Sequence, residues 1–161
     1  MNWQAICENK IFKDIQYKVE TNKWGKIELS PASNEHGIYQ AILIEWLVKL
    51  GENGRPISEC GIQTAQGVKV ADVAWGSYAF FGKNKRQNPY QESPEVVIEI
   101  LSPSNTRQEM LEKKELYFAR GAKEFWVCDS GGNMTFFNNY QALGESILIK
   151  GFPKKVEIDF A

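Results

Sequence analysis

Two acids stand where acids are costly. Glu99 interrupts the apolar run Val96-Val97-Ile98 before it resumes at Ile100-Leu101, and Asp72 lies inside VKVADVAW, residues 68–75. A β-branched run of this kind reads as a strand buried on both faces. A carboxylate in such a strand must be paired or must coordinate a cation. If the two strands are neighbours, both carboxylates converge on one divalent ion, and the carbonyl of Ile100 adds a third oxygen from the same strand. Hard oxygen donors with some retained water suit Mg²⁺ or Mn²⁺ better than zinc. Such an ion polarises a phosphoryl oxygen and lowers the pKa of bound water. A helix bearing Lys113 and Lys114 follows, and a lysine there can orient or deprotonate that water and offset charge developing on a phosphate. From these residues alone, a metal site and an internally paired set of charges both stay open.

The elements that must position them can be read along the chain. Phe12–Glu20 and Trp24–Leu29 are strand-like runs joined by a turn at Thr21-Asn22-Lys23, which predicts an N-terminal hairpin. Ser30–Asn34 supplies caps, and Ile38, Ile42, Trp46 and Leu50 recur at helical spacing, backed by Tyr39, Leu43 and Leu47, with Gly51 as the stop. Glu35 and His36 fall in the first turn of that helix, where the dipole favours an acid. Ile57–Thr64 and Val68–Trp75 flank a turn at Ala65-Gln66-Gly67. Alternation places Asp72 with Val68 and Val70, and Ala71, Val73 and Trp75 on the opposite face. Residues 77–93 read as a short helix and an exposed loop holding Lys83, Lys85 and Arg86, either a solvated cluster or a phosphate contact.

After the Glu99 strand, Thr106-Arg107-Gln108-Glu109 is a capping box opening a helix buried through Met110, Leu111, Tyr117 and Phe118, with Gly121 at its end. Glu124–Cys128 and Met134–Phe137 form a hairpin about Asp129–Asn133. Ile147–Ile149 and Val156–Ile158 are candidate late strands. The order predicts an α/β fold of the mixed α+β kind, a mixed sheet flanked by helices, within one domain over residues 1–161. Trp75, Trp126, Phe125 and Phe136 are expected in the core.

Composition narrows the function classes. The 161 residues are 43% hydrophobic and 24% charged, ordinary for a folded protein. A formal charge of −1 argues against a broadly basic nucleic-acid grip, though not against a local groove. The three cysteines, Cys7, Cys60 and Cys128, form no CxxC pair, and the one histidine rules out a multi-histidine metal centre. No apolar run reaches the roughly 18 residues of a membrane span, and the N-terminus carries no signal-like apolar region. A cytoplasmic protein is expected.

Several stretches together resemble the Uma2 family, a widespread bacterial branch of the PD-(D/E)xK nuclease superfamily. They are KIELSPASNEHG, VKVADVAW, PEVVIEILSPSN and EMLEKKELYFARGAKEFWVCD, the last following the pattern D-x-x-x-K-x-x-x-Y…G-x-x-E-Y-W-x-V-D. The resemblance spans most of the chain and implies a restriction-endonuclease-like core with an N-terminal hairpin. It also implies Mg²⁺- or Mn²⁺-dependent hydrolysis of DNA, with Asp72 and Glu99 as metal ligands. The usual proline before the aspartate is Ala71 here, and the E-x-K lysine position is Leu101. The family places its lysine on the following helix, and alignment on Tyr117 selects Lys113. Helical geometry puts Lys113 at the edge of the apolar face beside Tyr117 and Lys114 in its middle, so Lys113 is favoured and Lys114 held in reserve. Glu109, Glu35 and His36 have structural readings as helix-end residues beside functional ones within the superfamily.

Two other functions compete with an endonuclease. One is a catalytically silent module on the same fold that binds nucleic acid or protein, compatible with a homodimer. The other is a hydrolase of smaller phosphate esters, which the lack of a Gly-rich phosphate loop disfavours.

Overall fold

In the computed structural model, which describes residues 2–13 and 17–160, the chain opens on two short helices, α1 (Trp3–Glu8) and α2 (Lys10–Lys13). Asn2 caps the first by accepting from the Ala5 N–H. An antiparallel hairpin follows, β1 (Tyr17–Thr21) and β2 (Ile27–Pro31), whose turn is held by the Asn22 side chain accepting from the N–H groups of Trp24 and Lys26. The hairpin is as expected, but Phe12 and Lys13 of the expected first strand lie in α2, and the second strand begins at Ile27 rather than Trp24. Of the expected first strand, residues 14–16 lie outside the described residues.

Helix α3 (Asn34–Leu50) leads into the long strands β3 (Gly54–Thr64) and β4 (Gly67–Ser77), then α4 (Tyr78–Asn84), β5 (Val96–Ile100) and α5 (Arg107–Phe118). Strands β6 (Glu124–Cys128), β7 (Met134–Asn138) and β8 (Ala142–Leu143) complete a six-stranded sheet in sequential order from β3 to β8. Every neighbouring pair is antiparallel except β5 and β6, which α5 joins as a parallel crossover. This is the mixed sheet flanked by helices that the sequence predicts.

Each sheet face is covered. On one, Tyr39, Leu43 and Leu47 of α3 pack on Val73, Trp75, Val96, Ile98 and Trp126, and the C-terminal Ile149, Phe152 and Val156 join them. Burying a leucine such as Leu43 or Leu47 contributes about 1.5–3 kcal/mol. On the other face, Phe80, Tyr117 and Phe118 of α4 and α5 pack on Ala71, Ala74, Val97 and Phe125. The middle of the α3 stripe is thus Tyr39-Leu43-Leu47, with Ile42, Trp46 and Leu50 at its margin, the reverse of the weighting that the i+4 series suggests.

Gly51 ends α3 without the left-handed conformation expected of it: its φ is −74°, and Asn53 takes the positive value of 57°. A glycine is needed at 51 because a Cβ there would collide with the Trp75 indole. The expected late strands are absent. The N–H groups of Ile147 and Leu148 turn onto the Glu124 carboxylate, and Val156 donates to Gly132. Ile149 and Val156 fill the core from irregular backbone, while Ile147 and Leu148 stay exposed.

Strand β4 is regular everywhere but at Asp72. The β3 ladder runs through Val73 and Ala71 and omits Asp72, opposite which Glu59 takes a φ of 50°. The β5 ladder stops at Val73↔Ile98, one step before Asp72 would face Glu99. Asp72 is therefore the one residue of β4 in neither ladder, and the strict alternation expected of the strand breaks there. Ala71 packs with Ala74 on the α5 side, while Val73 and Trp75 pack under α3. Where the β5 ladder ends, the hairpin takes over that edge. Thr21 Oγ1 accepts from Val68 N, Glu20 Oε2 accepts from Val70 N, and Lys69 Nζ donates to Thr21 O.

Candidate active site

The gap in β4 frees Asp72 from the sheet and aims it. Gln40 of α3 donates to its carbonyl at 2.7 Å, replacing a ladder bond, and Ile100 N donates to its Oδ2 at 2.8 Å. Its Oδ1 meets Lys18 Nζ at 3.0 Å and His36 Nε2 at 3.1 Å. Burial by itself would raise the Asp72 carboxyl, but the Lys18 ammonium, His36 and the Ile100 N–H outweigh it and hold it well below the usual carboxylate range.

Glu99 follows Val97 on the α5 face of β5, in a strand whose five residues are all buried. Its Oε1 accepts from Tyr117 Oη at 2.8 Å and from Lys113 Nζ at 3.3 Å; its Oε2 accepts from Lys18 Nζ at 3.2 Å. Burial pushes this carboxyl up, the Lys113 and Lys18 ammoniums pull it down, and Asp72 and Glu20 add to the rise. The two acids thus sit in environments that shift them in opposite directions. Burial and the adjoining carboxylates raise the Tyr117 phenol well above its ordinary range, so it stays a donor.

Lys18 is the centre of the arrangement. Its ammonium touches both acids, on a side chain 11% exposed. Burial opposes its charge, yet Glu99, Asp72 and Glu20 raise it far above the ordinary lysine range. Lys113 completes the cluster, with Glu20 Oε2 at 3.0 Å opposite Glu99. Burial works against the charge of Glu20, but Lys113, Lys18 and the Val70 N–H lower it. His36 is raised by its hydrogen bond to Asp72, against a smaller effect of burial. Lys18, His36, Asp72, Glu99 and Lys113 open on a groove of about 440 Å³ between the hairpin, the start of α3 and the Ser102–Asn105 turn.

The residues expected from sequence divide clearly. Asp72, Glu99 and Lys113 come together, and Ile100 lines the same groove, contacting Asp72 through its N–H. Lys114 does not join them: its Nζ lies 4.9 Å from the Phe137 ring centroid and 3.7 Å from Glu115. Glu109 closes the capping box with Thr106, and Glu35 does not line the groove. His36 does reach it. The basic cluster at Lys83–Arg86 lies outside the groove, with Lys83 paired to Glu92 at 2.7 Å. Lys18 and Glu20 were missed. They share one face of β1, a signal that a strand with a wet face carries equally well.

The donor set suits a hard cation in kind and in number. Mg²⁺ is commonly held by one or two carboxylates and water. Among the described residues no cluster of three or more His, Cys, Asp or Glu side chains is arranged to hold a metal. What marks the position is a stand-in: the Lys18 ammonium shows that one oxygen of Asp72 and one of Glu99 converge on a single cationic point.

Comparison with known proteins agrees with this architecture. No curated protein matches the chain. The fold is similar to a crystal structure titled as that of a "putative nuclease belonging to DUF820" from Anabaena variabilis ATCC 29413, with a TM-score of 0.68 and 15% identity over 88% of this chain and 81% of that one. A likeness at that identity speaks for the fold alone. A model of the Uma2 family, described as "Putative restriction endonuclease", matches residues 14–143. By that match over most of its length, the chain belongs to the Uma2 family.

Proposed function

We propose that this protein is a metal-dependent nuclease that hydrolyses DNA phosphodiester bonds in the groove between the hairpin, α3 and α5. One observation carries the reading: two buried carboxylates from adjacent strands meet one cationic point, with a second lysine on the other oxygen of Glu99. Membership of the Uma2 family, described as "Putative restriction endonuclease", supports it, and the fold shared with a chain titled "putative nuclease" agrees with it. Asp72 and Glu99 would hold the divalent ion, Mg²⁺ or Mn²⁺, with the Ile100 carbonyl as a third oxygen. When bound, such an ion supplies Lewis-acid polarisation of a phosphoryl oxygen and a water of lowered pKa.

The chain's own residues do the positioning. The Ile100 N–H fixes the Asp72 carboxylate, and the Tyr117 hydroxyl fixes that of Glu99. Glu20 and Glu99 hold Lys113 between them at the groove wall. From there its ammonium orients the attacking water and offsets charge developing on the phosphate. His36, on the groove side of Asp72, keeps that acid oriented.

Nicking of supercoiled plasmid in Mg²⁺ tests this. The wild-type chain should nick, and Asp72→Asn and Glu99→Gln variants with native circular dichroism should not. Equal Mg²⁺-dependent nicking by all three overturns the assignment. The Lys18 ammonium between the two acids favours a second reading, a catalytically silent module binding nucleic acid or protein. Retardation of duplex DNA by the wild-type chain, with no cleavage in Mg²⁺ or Mn²⁺, selects that one.

A further inference from the structure

We propose that Lys18 is the resident cation of this centre, holding the point between Asp72 and Glu99 that a divalent ion takes, so that metal enters only as the lysine withdraws. The inference rests on the metal-site reading given above. Its first support is geometric. Lys18 Nζ lies 3.0 Å from Asp72 Oδ1 and 3.2 Å from Glu99 Oε2, so the same two oxygens cannot also close on a metal while the ammonium stays. A lysine ammonium is a compact point charge on a flexible stem, which makes it a workable substitute for an ion.

Charge gives the second support. Among its acids and lysines, three carboxylates, Glu20, Asp72 and Glu99, face two ammonium groups, Lys18 and Lys113. A divalent ion added to that set leaves an excess of positive charge in a buried cluster. With Lys18 withdrawn, the remaining set carries two net negative charges, which a divalent ion neutralises. The third support is mechanical. The Glu20 and Thr21 side chains of β1 accept from the β4 backbone, so the hairpin need not move. Lys18 itself lines the groove, and its side chain can turn into that space.

The test is calorimetric titration of the full chain with MnCl₂, without nucleic acid. The Lys18→Gln variant should bind Mn²⁺ at least about tenfold more tightly than wild type, because the share of wild-type molecules with an open site is small. That gain should vanish in the Lys18→Gln/Glu99→Gln double variant. Saturating Mn²⁺ should also raise the melting temperature of Lys18→Gln more than that of wild type. Equal affinity in wild type and Lys18→Gln, lost on Glu99→Gln, overturns the inference and leaves the metal site standing. Absence of binding to either chain overturns both. Should Lys18→Gln not fold, the Lys18 ¹³Cε resonance of the wild-type chain decides: it should shift with added Mg²⁺ at the calorimetric midpoint, and a resonance unmoved at saturation overturns the proposal.

Discussion

Glu99 and Glu124 lie on adjacent parallel strands, and each is only 2% exposed, yet they are satisfied in opposite ways. Glu124 is met by neutral dipoles of the Ser146–Leu148 turn: Ser146 Oγ at 2.8 Å, Ile147 N at 2.9 Å and Leu148 N at 3.3 Å. Glu99 is met by two ammonium groups and one phenol, brought from β1 and α5. Backbone donors cannot leave without unfolding their turn, so Glu124 is a fastener. Lysine donors stand on flexible stems, so the partners of Glu99 are not fixed by backbone as those of Glu124 are. Burial alone does not distinguish the two carboxylates; the kind of donor that neutralises each does.

Truncation sets the two acids against each other. Glu99→Ala strands two lysines in a buried cluster and should cost about 3–5 kcal/mol in urea unfolding. Glu124→Ala leaves neutral donors unmet and should cost about 1–3 kcal/mol. The reverse order would break the comparison. Double-mutant cycles sharpen it: coupling between Glu99 and Lys113 should reach about 1–3 kcal/mol. Coupling between Glu124 and Ser146 should be about 0.5–1.5 kcal/mol, the net worth of an ordinary hydrogen bond.

Acid should act on the charged side of the pair. Asp72 has a folded-state pKa below the ordinary 3.8, so its contribution is present above that pH and lost as pH falls through the folded value. In metal-free buffer, Asp72→Asn should therefore be destabilised near neutrality, with the gap to wild type narrowing below pH 3.8. A gap unchanged down to pH 2 contradicts the pairing with Lys18. The smallest effect concerns the strands beneath both acids. Burial pushes the Cys60 and Cys128 thiols up to about 12, whereas Cys7 is exposed. An aromatic disulfide reagent should titrate one thiol per native chain, and fast reaction of a second would show that one of these strands opens.

What the sequence made legible was whatever local pattern encodes. An acid inside a β-branched run stands out, which is why Asp72 and Glu99 could be picked, and an edge position on a helix separated Lys113 from Lys114. Lys18 and Glu20 could not be picked, because alternating charge on a short strand looks the same whether that face meets water or, as here, the edge of β4. The direction of Asp72 was hidden for a related reason: period-two alternation assumes continuous ladders, and the strand is unpaired at that residue. The Ile147–Ile149 run was misread because an apolar triplet looks like a strand in sequence, whereas in the fold only Ile149 is buried and the backbone donors of Ile147 and Leu148 serve Glu124. Helix α3 was recovered with its burial centred on the wrong stripe, since Ile42, Trp46 and Leu50 are as apolar as the residues that form the true contact.

The hairpin shares no ladder with the six-stranded sheet, and this has a consequence for assembly. A sheet completed before the hairpin docks holds Asp72 and Glu99 close together with neither acid yet paired to Lys18, and they repel. Docking of β1 delivers the counter-charge that relieves them and, through Glu20, anchors the lysine of α5. Both acids thus gain from the docking of β1, and a chain shortened to begin after Thr21 would lose the ammonium that Asp72 and Glu99 share.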